Sequence, residues 1–160
     1  HYNPKVRAEG GRVQEFFVSK QYVKAVSELQ KVLRKEIADC GIAIETNPSS
    51  NVLIGTFRQY EKHPMLQFFN KGLTRDSDVI EACPQIPISV NTDDQGVFST
   101  SLENEYALIA CALESVSDVM GNPLYKKSDI YEWLDNIREM GNEQSFGYIA
   151  DMKERGLYYD

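Results

Sequence analysis

Two short apolar runs, Ile42-Ala43-Ile44 and Ile86-Pro87-Ile88-Ser89-Val90, constrain the fold of this chain more than any other feature. Each is followed by a dense set of hydrogen-bonding residues: Glu45-Thr46-Asn47-Pro48-Ser49-Ser50-Asn51 after the first, Asn91-Thr92-Asp93-Asp94 after the second. Uninterrupted β-rich runs set between helical stretches are read as buried strands, the mark of a parallel sheet with helical crossovers. Pro87 removes one ladder donor and therefore belongs near the start of its strand. Two strands cannot by themselves make a stable sheet covered on both faces, so something further must supply the rest.

The flanking segments carry helical periodicity. Tyr22, Val26, Leu29, Leu33 and Ile37 repeat at three- and four-residue steps, with Ser19 as N-cap and Gly41 placed for a left-handed C-terminal cap. Such a stripe is read as core packing. Residues 1–13, with Pro4 and Gly10-Gly11, read as an irregular lead-in. A Ser- and Asn-rich loop is expected after the first strand, then a short helix opened by His63-Pro64 and stopped at Gly72. Thr100-x-x-Glu103 has the form of a capping box ahead of Leu102, Tyr106, Ile109, Leu113 and Val116. Ser128 opens another helix, with Ile130, Leu134 and Ile137 on one face and Trp133 as a core or domain-contact aromatic. The stretch from Asn142 to about Arg155 is expected to be helical again.

Composition narrows the function classes. A net charge of −7 disfavours a dedicated nucleic-acid-binding module, because an acidic chain repels phosphate backbones. No apolar run approaches the roughly 18 residues of a membrane span. Cys40, Cys83 and Cys111 are odd in number, widely spaced and set among apolar residues. They read as buried thiols of a cytoplasmic protein, not as a disulfide framework or a cysteine zinc site. The chain starts at His1 without an initiator Met or a signal-peptide pattern, and is expected to begin mid-protein.

Functional side chains of α/β sheets and barrels gather where strands end. The first such segment has a plain alternative, since Asn, Pro and Ser build turns for local reasons. In the second, the adjacent carboxylates of Asp93 and Asp94 repel each other and lose hydration, and a cation would offset both costs. A metal on Asp93 would leave Asp94 to orient water or a substrate proton. The alternative is an acidic turn that caps the next helix. His63, before a proline at a helix start, reads as a capping or packing residue, because metal histidines come with partners at defined spacings.

Taken together, the two segments resemble the adenosine and AMP deaminase family of metal-dependent hydrolases over about residues 37–114, with weaker agreement to Phe146. Ile42 to Asn51, Gly55 and His63-Pro64 look like the family's seventh strand, its loop and its next helix. Ile88-Ser89-Val90-Asn91-Thr92-Asp93-Asp94, Phe98, Thr100-Ser101-Leu102 and Glu105-Tyr106 look like the eighth strand and its helix, and Ser145-Phe146 resembles a pair in the terminal helix. The resemblance implies an α/β fold: residues 1–160 as the C-terminal portion of a single (β/α)8 TIM-type barrel, its last two βα units plus terminal helices.

It further implies that Asp93 is a carboxylate ligand of Zn2+, and that Asp94 contacts the purine ring and helps hold the attacking water. The substrate would be an adenine nucleoside or nucleotide, deaminated to ammonia and an inosine-type product. The family's other ligands are three histidines, and a glutamate and a further histidine handle protons. None of those motifs occurs here, and the chain has only His1 and His63. The remaining ligands are thus expected from a missing N-terminal barrel portion, and the 160-residue piece alone is expected to be inactive. Alone it would expose sheet edges and apolar helix faces, so association into a homo-oligomer, swapping or dependence on the missing N-terminal portion is expected. The other functional class in view is a catalytically dead barrel that serves in assembly or ligand sensing.

There are departures from the pattern. Gln95-Gly96 stands where the family usually has Pro, a long helix precedes the first strand, and Asn47-Pro48 replaces the more frequent Cys-Pro. These look like a divergent bacterial subgroup that includes CRISPR-associated and anti-phage deaminases.

Overall fold

The computed structural model describes residues 3–13, 15–145 and 154–155. The chain divides into two compact units, His1–Leu33 and Arg34–Asp160.

The first unit opens with a helix where the sequence reads as irregular: α1 spans Pro4–Gly10. Asn3 accepts a bond from the Lys5 amide on its side chain at 3.0 Å, and Pro4 occupies the first turn. Asn-Pro is a start signal in its own right, because Asn caps the helix and Pro suits its first turn. A second helix, α2, runs Lys20–Asp39, with Ser19 Oγ accepting from the Tyr22 amide at 3.1 Å. None of its residues is buried. Tyr22 and Leu29 are about three-fifths exposed, so the core packing expected of this stripe is not realised.

The end of α2 follows from Gly41, whose φ is +66°. Gly41 N donates to Ala38 O at 2.9 Å and Ile42 N to Ile37 O at 3.2 Å, the two bonds of a Schellman cap. The cap uses Ile42, so the first strand starts later than its apolar run: β1 is Ile44–Thr46. The second, β2, is Ile88–Val90. Its ladder begins where Ile44 N donates to Pro87 O at 2.9 Å, with Pro87 at the start of the strand as its missing donor requires.

Between the strands lie three short helices and a single 3-10 turn. Residues 48–54, expected as loop, form α3 (Pro48–Ile54) with proline again in the first turn. The 3-10 turn spans Tyr60–Lys62, and α4 spans Met65–Phe68. It stops short of Gly72 because the chain beyond it is tied to the approach to β2. Gln85 Oε1 accepts from the Asn70 and Lys71 amides at 3.3 and 3.1 Å, and Phe68 O from Ile86 N at 2.7 Å. Asp76 then caps α5 (Ser77–Ala82), a helix too short for periodicity to show.

After β2 come α6 (Gln95–Phe98), α7 (Leu102–Ser115) and α8 (Lys127–Glu143). The cap of α7 is Ser101, whose Oγ accepts from the Asn104 amide at 3.3 Å; the expected Thr100 box is displaced because Thr100 is engaged elsewhere. The first residues of the expected Asn142–Arg155 helix belong to α8; Phe146 and most of the remainder lie outside the described residues.

The strands pair in parallel, Ile44 beside Ile88, Glu45 beside Ser89 and Thr46 beside Val90. Strand alternation puts Ile44, Thr46, Ile88 and Val90 on one face. That face packs on Met65, Ile109, Leu113, Ile130, Trp133 and Ile137, which form the core. Trp133 is fully buried and its Nε1 donates to Phe69 O at 3.1 Å. The architecture is α/β, with a two-stranded parallel sheet among the described residues. The burial of the cysteines departs from expectation: Cys40 and Cys111 are exposed, Cys83 is half-buried, and all three are free. Cys40 follows Asp39, the last residue of α2, and Cys111 lies on α7 beside an open groove that Ala110 and Leu134 also line. No described helix is long and apolar enough to cross a membrane.

Candidate active site

Parallel pairing in register brings the C-terminal ends of both strands to the same edge, which is where barrel and open-sheet folds place chemistry. The two strand-end segments therefore meet. Ser50 Oγ, on buried Ser50 in the first turn of α3, donates to Asp93 Oδ2 at 2.8 Å, across 43 residues of sequence. Asp93 has a φ of +58°, a left-handed conformation that Asp tolerates better than most residues. Its carboxylate is thus fixed by a neutral donor and an unusual backbone turn, while the residue stays exposed.

The neighbouring carboxylate does something different. Asp94 is the N-cap of α6, and its Oδ1 accepts from the Val97 amide at 2.9 Å. A Cβ on Gly96 would stand 3.3 Å from that oxygen, so the Gln95-Gly96 departure leaves room around the capped carboxylate. The sequence left the pair open between a metal site and a helix cap. The structure divides the two: Asp94 caps, and Asp93 is held out from the strand end by Ser50.

The segment after β1 is braced by buried groups. Thr46 Oγ1 donates to Ser89 O at 2.7 Å, tying the two strand ends together. Ser49 Oγ and Tyr60 OH lie 2.9 Å apart. His63, almost completely buried, packs edge-on against Phe57. Its Nδ1 accepts from the Met65 amide at 3.1 Å, so the proton belongs on Nε2, which faces Asn51 Oδ1 at 2.9 Å. His63 is a capping and packing residue here.

Burial pushes the His63 pKa down to about 4, against a smaller opposing pull from the Glu105 carboxylate. The unfolded chain takes up this proton near pH 6.5 and the folded chain only near pH 4. The unfolded state binds the extra proton in between, so stability is expected to fall as pH drops through that window, by at most about 3 kcal/mol. His63→Gln, which keeps an N–H for Asn51, should flatten the fall. Urea midpoints of both chains at pH 7 and 4.5 check this, and equal losses would contradict it.

Sequence reasoning missed Glu105 as anything more than part of a Glu-Tyr motif. Glu105 is fully buried on α7, where Oε2 accepts from the Ser49 amide at 2.9 Å and Oε1 from Thr100 Oγ1 at 2.7 Å. A signal was present: Glu105 falls three residues after Leu102 and four before Ile109, a carboxylate within the apolar stripe.

As a metal position, Asp93 fits one corner: an exposed carboxylate, braced through one oxygen. Among the described residues no group of three or more His, Cys, Asp or Glu side chains could hold a metal ion. His63 is turned to Asn51 and Met65, and His1 lies outside the described residues.

Comparison with known proteins bears on the family. The Adenosine deaminase family model matches residues 23–118. The chain is 31% identical over 88 residues to the adenine deaminase of Rhizobium johnstonii, covering 55% of this chain and 23% of that protein. It is 31% identical over 78 residues to the aminodeoxyfutalosine deaminase of Streptomyces coelicolor, covering 49% and 17%. The adenine deaminase of Chelativorans sp. is 33% identical over 78 residues, covering 49% and 20%. The chain thus spans less than a quarter of the length of these relatives, and no solved structure matches it. The family match runs over more than half of the chain and takes in both strand ends, Ser50 and the aspartate pair: this chain belongs to the adenosine deaminase family.

Proposed function

We propose that the chain supplies the last two βα units of a (β/α)8 barrel that hydrolytically deaminates an adenine ring. Water replaces the exocyclic amino group, and ammonia leaves with an inosine-type product. Adenosine or an adenine nucleotide is our preferred substrate class. The relatives named adenine deaminase add the free base as an arm of the same test. The observation that carries this reading is the Ser50–Asp93 contact, which fixes one carboxylate at the open edge of a parallel sheet.

In this proposal Asp93 is one ligand of a zinc ion, and Ser50 sets its orientation. When bound, the zinc ion supplies Lewis-acid activation of the attacking water. Asp94 contacts the purine ring and helps hold that water through the carboxylate oxygen not used to cap α6. The proton-handling glutamate, its histidine partner and the histidine ligands come from the rest of the barrel. Asn47-Pro48 and Gln95-Gly96 are the residues that carry the divergent-subgroup reading, and they bear on which adenine compound fits.

Size supports the partial-barrel reading, because a complete barrel of this type needs about 250 residues. So does the apolar surface left on α7 and α8. Leu102, Tyr106, Ala110 and Leu134 line an open groove of about 620 Å3, and we assign it to packing against the rest of the barrel. The purified 160-residue chain is expected to release no ammonia from adenine, adenosine or AMP and to self-associate. The complete polypeptide is expected to turn over at least one of the three. Ammonia release by the short chain, or a monodisperse, cooperatively melting monomer in light scattering and calorimetry, would contradict the partial-barrel reading. Zinc-loaded complete protein with no turnover on any of the three would favour an assembly or sensing role.

A further inference from the structure

Glu105 is a buried carboxylate to which the proposed mechanism gives no task. None of the ion pairs among the described residues includes it. Burying a carboxylate is costly unless its oxygens are well satisfied. Both oxygens of Glu105 are used, one by Thr100 Oγ1 at 2.7 Å and one by the Ser49 amide at 2.9 Å. The second contact is the informative one. The N-cap residue of α3, Asn47, makes no side-chain capping bond, although a helix start leaves four amides without partners. Glu105 reaches in from another helix, 56 residues away, and satisfies one of those amides.

The amide it holds belongs to Ser49, one residue before the serine that holds Asp93. Three successive residues of this turn are anchored to three different elements. Ser49 N donates to Glu105 on α7, Ser50 Oγ to Asp93 after β2, and Asn51 Oδ1 faces His63 Nε2 ahead of α4. A Ser50 hydroxyl can select one carboxylate orientation only if its own backbone does not move. The bond that ties this backbone to α7 is the one that the Ser49 amide donates to Glu105.

We propose that Glu105 is a positioning residue for the metal-ligating carboxylate of Asp93, acting through the Ser49 amide and Ser50. The proposal rests on the reading of Asp93 as a zinc ligand. Residues that orient a metal ligand commonly govern about 10- to 100-fold of metal affinity or activity. Glu105→Gln keeps the shape and one acceptor but cannot accept both bonds through carboxylate oxygens.

The test uses the complete protein and competition for Zn2+ by a chelator, with kcat and KM measured on the zinc-loaded enzyme. Glu105→Gln is expected to weaken zinc binding about 10-fold or more and to lower kcat, with KM little changed. In a Ser50→Ala background the same substitution should have almost no further effect on zinc affinity, because both lie on one path. Additive losses would overturn the proposal, as would wild-type zinc affinity in Glu105→Gln, since a merely structural carboxylate lowers only the melting temperature. If Glu105→Gln does not fold, Thr100→Val replaces it: a several-fold loss of zinc affinity supports the proposal, and no loss overturns it. Asp93→Ala separates the two levels of the argument. Zinc lost from Asp93→Ala but not from Glu105→Gln sinks only this proposal, whereas zinc retained in Asp93→Ala sinks both.

Discussion

Asp93→Ala in the complete barrel is expected to lower deaminase turnover by about 1,000-fold, while Asp94→Asn leaves the fold and the α6 cap in place. A metal's Lewis-acid help is worth several kcal/mol, and at about 1.4 kcal/mol per factor of ten, ~4 kcal/mol corresponds to that loss. The contrast between the two aspartates is what makes the experiment informative. Asn is as good an N-cap as Asp, so Asp94→Asn preserves the bond to the Val97 amide and removes only charge. Its effect should fall on kcat. Steady-state assay of ammonia release checks both variants. Equal, small effects would mean that the pair is a helix cap and nothing more.

The largest stability effect is expected at Trp133. Its side chain is fully buried among Phe69, Ile88, Ile130 and Ile137, and its Nε1 holds the Phe69 carbonyl at 3.1 Å. Trp133→Ala removes that volume and leaves the carbonyl without its donor. Large aromatic truncations of this kind cost about 3–5 kcal/mol, a large share of the 5–15 kcal/mol that holds a typical domain together. Trp133→Phe fills most of the space and should cost far less, chiefly the net worth of one hydrogen bond, about 1 kcal/mol. Denaturant midpoints of the three chains give the comparison. A Trp133→Ala loss no larger than that of Trp133→Phe would show that the core is not built around this ring.

What could be read from the sequence is set by the range of each interaction. The Gly41 cap, the Ser19 cap and the position of Pro87 at the start of its strand are legible because local geometry alone enforces them. The core face of α8 was legible because Ile130, Leu134 and Ile137 repeat at helical spacing. Short elements leave little trace: Asn-Pro-Ser-Ser favours turns as much as helix starts, so α3 does not show in the sequence, and α1 is hidden for a related reason. The cap of α7 falls one residue later than the Thr100 spacing suggests because Thr100 is drawn to Glu105, a partner that tertiary structure alone brings near.

The site follows the same rule. Its segments were legible as strand ends rich in polar residues, and the resemblance named Asp93 and Asp94. The roles of Ser50 and Glu105 depend on contacts across 43 and 56 residues, which no local spacing encodes. Cys40 and Cys111 mislead for the opposite reason. Apolar neighbours in sequence point to burial, yet the faces on which these residues lie are not covered by any described element.

The most direct test of the account is the metal content of the purified complete polypeptide beside its Asp93→Ala and Asp94→Asn variants. Elemental analysis should find about one zinc per wild-type chain, the same in Asp94→Asn, and close to none in folded Asp93→Ala. Wild-type metal content in folded Asp93→Ala would contradict the claim that this chain contributes a ligand to a deaminase centre.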